Sequence, residues 1–265
     1  ADVLARHSWM LPLELAAEKR SSTLGVEGIS ERMRRFFAKG LRENELLAVL
    51  GTLAAARVRE IKLFFLIAGF ENAADLEEFD AFCARFRLLL HRHRREAGPR
   101  VVFSAGFLVR MPFTPLQFDV PELNRAKLEF LSRRVEKTVT EHGFEFRMAM
   151  SWEEYVTGQL LVRPAADAAR ILEESARRGL SCDTHVPPEL AGLLAEAWQT
   201  DGETPETSTG DLSAPEKARK RAWETAAAFG DPPACCATLA PGEAACHGCG
   251  ACRGAPCGCC CPTSG

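Results

Sequence analysis

Two long, largely apolar runs, IKLFFLIAG at 61–69 and VVFSAGFLV at 101–109, constrain this chain more than any other feature, and both read as strands. A strand with one face in water alternates polar and apolar residues, so the first run has the form of a strand buried on both faces of a parallel sheet. Between them a helix is predicted from about Asp75 to His93. It carries Leu76, Phe79, Phe82, Cys83, Phe86 and Leu90 on one stripe, which makes Cys83 a core residue.

The same alternation extends in both directions. SSTLGVEG reads as a short strand from Ser21, and ISERMRRFFAKG as a helix with Met33, Phe36 and Phe37 inward and Gly40 as its stop. Leu46, Leu50 and Leu53 follow at helical spacing. Past the second run, RMPFTPLQF is a loop whose prolines end regular structure. A helix is predicted from about Pro121 to His142, with Leu128, Leu131, Val135 and Val139 at intervals of three and four, and FEFRMAM is a fourth strand. Strands and helices that alternate through short links form right-handed βαβ units, so the fold class is α/β, a parallel sheet that is open or part of a barrel.

Two or three helices then run to about Trp198. The polar, Thr-, Gly- and Pro-rich segment QTDGETPETSTGDLSAPEK has the composition of a linker. The predicted organisation is a body at 1–150, a helical extension at 151–198, a linker at 199–213, and a short helix with a cysteine-rich tail at 214–265. The first residues, with Leu4, Leu11 and Leu15 on one side, read as the middle of an amphipathic helix, and the chain is expected to continue upstream.

The net charge of −3 gives no footprint for nucleic acid or an anionic membrane. No segment reaches the roughly 20 apolar residues of a membrane span, and the start lacks the design of a signal peptide, so the cytoplasm is the expected compartment. Of 11 cysteines, nine lie between Cys235 and Cys261, and Cys246, Cys249 and Cys252 are spaced C-x-x-C-x-x-C. Gly248 and Gly250 supply the turns that bring such sulfurs to one side, so a metal site is expected there. With Cys257 the spacing approaches that of bacterial ferredoxins, although Pro256 precedes the last cysteine instead of following it. An iron–sulfur cluster on these four thiolates and a zinc ion held by three of them, with Cys257, Cys235 or His247 as the fourth ligand, both remain open.

In sheets of this kind chemistry collects at the carboxyl ends of the strands. At the first, Glu27, Gly28, Ser30, Glu31, Arg32, Lys39 and Gly40 resemble a motif of radical S-adenosylmethionine (SAM) enzymes, in the group related to cobalamin-binding members and methylthiotransferases. At the second, Gly69, Glu71, Asp75 and Leu76 resemble the family's next strand end, without its proline. At the third, Pro112, Thr114, Pro115 and Gln117 resemble its proline-rich loop, with Phe113 in place of histidine. The resemblance covers about Ser21 to Val186, and the tail loosely.

It implies that the chain is the C-terminal half of a partial (β/α)6 TIM-like barrel with parallel strands, followed by helices and a Cys-rich tail. The N-terminal half is then a partner outside this chain. It also implies SAM and a four-iron four-sulfur cluster, whose C-x-x-x-C-x-x-C ligands would lie upstream, and a cobalamin where an upstream domain holds one. Glu27 would accept hydrogen bonds from the ribose hydroxyls or ammonium of SAM. Ser30 and Arg32, at a helix N-terminus, would face a substrate carboxylate, Gly69 would admit the adenine edge, and Glu71 is the remaining cofactor-binding candidate. The substrate is not specified. A second reading, from the residues alone, is a noncatalytic metal- or thiol-binding α/β protein. His91 and His93 fall on different helix faces, His142 suits a helix C-terminus, and Cys182, Asp183 and His185 have metal-site residue types with nothing converging on them.

Overall fold

The computed structural model describes residues 4–5, 9–16, 20–56, 58–93, 98–162, 168–180, 185–201 and 214–230. They form an α/β protein that divides into two compact units, one of 1–108 with 122–155 and one of 109–121 with 156–265. The first unit contains helix α1 (Met10–Ala16), strand β1 (Ser21–Glu27), helices α2 (Glu31–Phe36) and α3 (Glu43–Ala55), and strand β2 (Glu60–Ile67). It continues with α4 (Ala73–His93), β3 (Arg100–Phe107), α5 (Arg125–Glu141) and β4 (Glu145–Met148).

The four strands are parallel and lie in the order β1-β2-β3-β4. For an order that never reverses, the right-handed crossover rule places the crossover helices of this unit on one face of the sheet. Phe79, Phe82 and Phe86 of α4 and Phe144, just before β4, contact Phe103 of β3 with ring centroids 5.2–6.5 Å apart. Phe65 of β2 stacks on Phe103 at 5.6 Å. Cys83 lies fully buried beside this cluster, where burial pushes its thiol pKa up. Ser132 of α5 donates to the sulfur of Met148, 3.4 Å away, on the same face.

Among the described residues the opposite face is open at β2 and β4 and covered over β3. The register sets Gly25, Phe64, Ser104 and Arg147 in one row across it, and β2 alternates buried with half-buried or exposed residues. This corrects the expectation for IKLFFLIAG: only β3 is buried on both faces, while Lys62, Phe64 and Leu66 of β2 lie on the open part of this face. The apolar run hid the alternation because Phe64 and Leu66 interrupt the polar phase.

Helix ends also differ from expectation. α2 closes at Ala38, with φ +52°, and not at Gly40; the Ala38 and Lys39 amides donate back to Arg35 and Arg34 at 2.8 Å each. Phe37 is half-buried as the C-cap instead of inward. α5 begins at Arg125, because Asn124, three residues past Pro121, accepts a hydrogen bond from the Lys127 amide and caps the helix. His142 does cap its far end and meets Asp80 at 2.9 Å.

The second unit holds a short 3-10 turn (Pro115–Phe118) inside the loop predicted to be irregular, with Pro115 at its first position. It also holds most of α6 (Trp152–Leu161), then α7 (Ala168–Arg177), α8 (Pro188–Asp201) and α9 (Ala214–Ala227). Among the described residues no helix is long and apolar enough to cross a membrane.

Candidate functional site

β1 ends in a strained turn. The Gly28 amide donates to the Val26 carbonyl at 3.0 Å, closing a three-residue γ-turn around Glu27, whose φ is +68°. That is the rare γ-turn form, and a side chain there costs roughly 1–2 kcal/mol. Strain of this kind concentrates where a residue is needed for more than folding. The register slips between Gly25 and Glu27, and the Glu27 carboxylate folds back over Gly25, where an added Cβ would lie 2.7 Å from it. Glu27 is thereby set over the partly open face, a quarter exposed, with Lys39 3.5 Å away.

Gly28 is fixed by space. A Cβ on it would meet the Arg34 amide nitrogen at 2.3 Å and Met33 carbonyl carbon at 2.5 Å. Arg34, itself buried, ties the turn to the loop that carries Lys39: it donates to the Leu41 carbonyl at 2.9 Å and the Gly28 carbonyl at 3.4 Å.

Ser30 and Arg32 come together on Asp75. Ser30 is fully buried, caps α2 by accepting from the Met33 amide, and donates to Asp75 at 2.6 Å. Arg32 pairs with both Asp75 oxygens and donates to the Phe70 carbonyl at 3.1 Å, leaving its side chain 28 % exposed. Asn72 and Asp75 also cap each other at the start of α4, at 2.8 and 3.1 Å. Asp75 is therefore the hub of this cluster. Its local signal was the Asn-x-x-Asp capping pattern, while its partners stand 43–45 residues away.

Glu71 is buried and accepts from the Ala68 and Gly69 amides at 2.7 and 2.9 Å. Gly69 has φ +96°, and a Cβ there would lie 2.5 Å from the Glu122 side chain. Glu71 and Gly69 thus shape the end of β2, while Glu27 and, in part, Arg32 present charge outward.

The two buried carboxyls are shifted in opposite directions. Burial raises the Glu71 carboxyl, and its two amide donors offset this only in part. Burial also works to raise Asp75, but the Arg32 guanidinium, Asn72 amide and Ser30 hydroxyl outweigh it and hold it below the ordinary value. A raised folded-state pKa adds stability below the unfolded value that is lost as pH rises through the folded one, and a lowered pKa does the reverse. As pH falls from neutral, Glu71 should add stability until it is protonated, and Asp75 should withdraw it below the ordinary aspartate range. In Glu71→Gln the gain on mild acidification should be absent. Melting temperatures between neutrality and about pH 4 check this, and parallel curves for the two proteins would refute it.

In the second unit, Arg110 is buried against Asp119 at 2.6 Å, and Gln159 bonds both its amide and its carbonyl. Thr114 donates to the Met111 carbonyl at 2.7 Å, and Gln117 accepts from the Phe113 amide at 2.9 Å. These contacts hold Phe113 at φ +61° with its ring 82 % exposed.

A cleft of about 410 Å³ lies between α5 and the residues after β4, lined by Phe107, Ser132, Arg133, Met148, Met150 and Trp152 among others. The tail candidates Cys246, Cys249, Cys252 and Cys257 lie outside the described residues. Among the described residues no group of three or more His, Cys, Asp or Glu is placed to hold a metal ion. Comparison with protein-family models, curated proteins and solved structures finds no match to the chain.

Proposed function

We propose that the chain is the C-terminal part of a radical SAM enzyme, with SAM held at the carboxyl end of β1. The observation that carries this is the strained Glu27 turn, which sets a carboxylate over the partly open face of a sheet whose strands run 1-2-3-4. A monotonic parallel sheet with one face partly open among the described residues is compatible with a barrel segment whose remaining strands come from elsewhere.

Glu27 is suited to accept from the ribose hydroxyls, and Lys39 to donate to an anionic group of the same ligand. Arg32, held in place by Asp75 and Ser30, offers the exposed part of its guanidinium to a carboxylate. Ser30, Glu71 and Gly69 are assigned to shaping the strand ends and not to ligand contact. When bound, SAM together with a reduced four-iron four-sulfur cluster supplies radical hydrogen abstraction. The residues of this chain bind and orient. Calorimetric titration with SAM tests the reading, and no saturable binding would overturn it.

The tail is proposed as a separate metal site. Replacing Cys246, Cys249 or Cys252 by Ser should release most of the metal, because ligands act together, whereas Cys83→Ser should cost packing and leave metal untouched. Elemental analysis after anaerobic purification checks this. Visible absorbance that bleaches on reduction identifies iron–sulfur, and about one zinc per colourless chain identifies a structural zinc site. Protein without metal would remove the proposal.

A further inference from the structure

The cleft between α5 and the residues after β4 takes in Phe107 and Met148, the last residues of β3 and β4, and so lies at the strand ends where ligands of parallel sheets collect. The SAM site proposed at β1 does not use it. All of its lining residues belong to the first unit, and about 410 Å³ is the volume of a small-molecule site. Its apolar lining is Phe107, buried, with Met148, Met150 and Trp152, each half-buried; Ser132 steadies Met148 by donating to its sulfur at 3.4 Å. The two walls carry opposite charge. On the α5 wall, Arg133 has a side chain 66 % exposed and reaches Glu129 only at 3.5 Å, while Glu129 is already held by Arg125 at 2.7 Å. On the other wall, the exposed Glu154 uses one oxygen to accept from the Ser151 amide at 2.6 Å, as the capping glutamate of α6, and its second oxygen has no partner among the described residues. Arg133 and Glu154 line one cleft and, among the described residues, do not pair with each other.

Two opposite charges with spare hydrogen-bonding capacity, set on the walls of one apolar cleft, match a ligand that carries both complementary charges and an apolar body. We propose that this cleft binds a free aromatic α-amino acid, its carboxylate on the Arg133 guanidinium, its ammonium on the Glu154 carboxylate and its ring against Met148, Met150 and Trp152. A guanidinium meets a carboxylate through two parallel hydrogen bonds, and thioethers and an indole favour an aromatic ring. An aromatic acid would be repelled by Glu154 and an aromatic amine by Arg133, whereas a zwitterion satisfies both walls. Assigning this ligand as the substrate rests on the function proposed above; the binding itself does not.

The test is calorimetric titration of the protein with L-tryptophan, indole-3-propionate, tryptamine and L-alanine. L-Tryptophan should bind about tenfold or more tightly than each of the others, which lack the ammonium, the carboxylate and the ring in turn. Arg133→Gln should weaken tryptophan and indole-3-propionate by about tenfold without weakening tryptamine. Glu154→Gln keeps an acceptor for the Ser151 amide; it should weaken tryptophan and tryptamine by a similar factor without weakening indole-3-propionate. Both side chains are exposed, and melting temperatures equal to the parent's would show that the variants remain folded. Equal affinity for tryptophan and any comparator, either variant binding tryptophan like the parent, or no saturable binding of tryptophan would each overturn the proposal. SAM also carries an α-amino acid group, so it is titrated into the same samples. Its affinity should be unchanged by saturating tryptophan and by Arg133→Gln; competition between the two would show that the cleft is no separate site and overturn the proposal. Tryptophan binding by protein that does not bind SAM would uphold this site and sink the cofactor reading alone.

Discussion

Replacing Glu27 by glycine should weaken SAM binding by roughly 10- to 150-fold, the effect of removing a charge-assisted hydrogen bond worth about 1.5–3 kcal/mol, while the protein becomes no less stable. The stability sign follows from two opposed magnitudes. Relieving a left-handed side chain returns roughly 1–2 kcal/mol, and the extra freedom of glycine in the unfolded chain takes back about 0.5–1 kcal/mol. The partly exposed pair with Lys39, at 3.5 Å, changes this little. Glu27→Ala loses the same ligand contact and keeps the strain, so it should melt below Glu27→Gly. Thermal denaturation paired with calorimetry on both variants decides the matter. Unchanged SAM affinity together with a lower melting temperature for Glu27→Gly would show that this carboxylate serves the fold.

Gly28→Ala should be among the most damaging single-methyl additions in the first unit, destabilising it by about 3 kcal/mol or more. The new Cβ would lie 2.3 and 2.5 Å from backbone atoms of Arg34 and Met33, and backbone cannot step aside as a side-chain tip can. Met33 is fully buried, so α2 has no room to move inward. A shift of α2 would also carry Ser30 and Arg32 away from Asp75. In a protein of this size that is a fall of roughly 6–12 °C in melting temperature. Gly51→Ala, in α3 of the same unit, serves as the opposite control. Its Cβ would meet Leu89 at an ordinary 3.5 Å, and helix propensity should make it about 0.8–1 kcal/mol more stable. Equal melting temperatures for Gly28→Ala and the parent would refute the close approach of strand end and helix.

The α/β class, the four strands and the main helices were legible because their signals are local: periodic apolar stripes in α3, α4 and α5, and apolar runs in β2 and β3. What escaped the sequence is what depends on distance in space. Asp75 gathers Ser30 and Arg32 from over 40 residues away, which no spacing rule encodes. The stop of α2 at Ala38 escaped because a non-glycine residue takes the left-handed cap that Gly40 was expected to supply. The bare side of β2 escaped because Phe64 and Leu66 are apolar on the face where polar residues signal exposure. Glu27 could be singled out by its motif, but its strained turn could not, since nothing in Val-Glu-Gly specifies a positive φ at the glutamate.

The unreversed strand order also bears on how the sheet is assembled at the ribosome. Among the described strands each pairs with one that follows it by roughly 40 residues, and none of the three pairings joins distant ends of the sequence. At about 5–20 residues per second of synthesis, a newly made strand stays unpaired on one side for roughly 2–8 s before the next arrives. Growth can therefore be vectorial, each strand templating its successor, and the vulnerable species at every stage is a nascent sheet with one fresh edge.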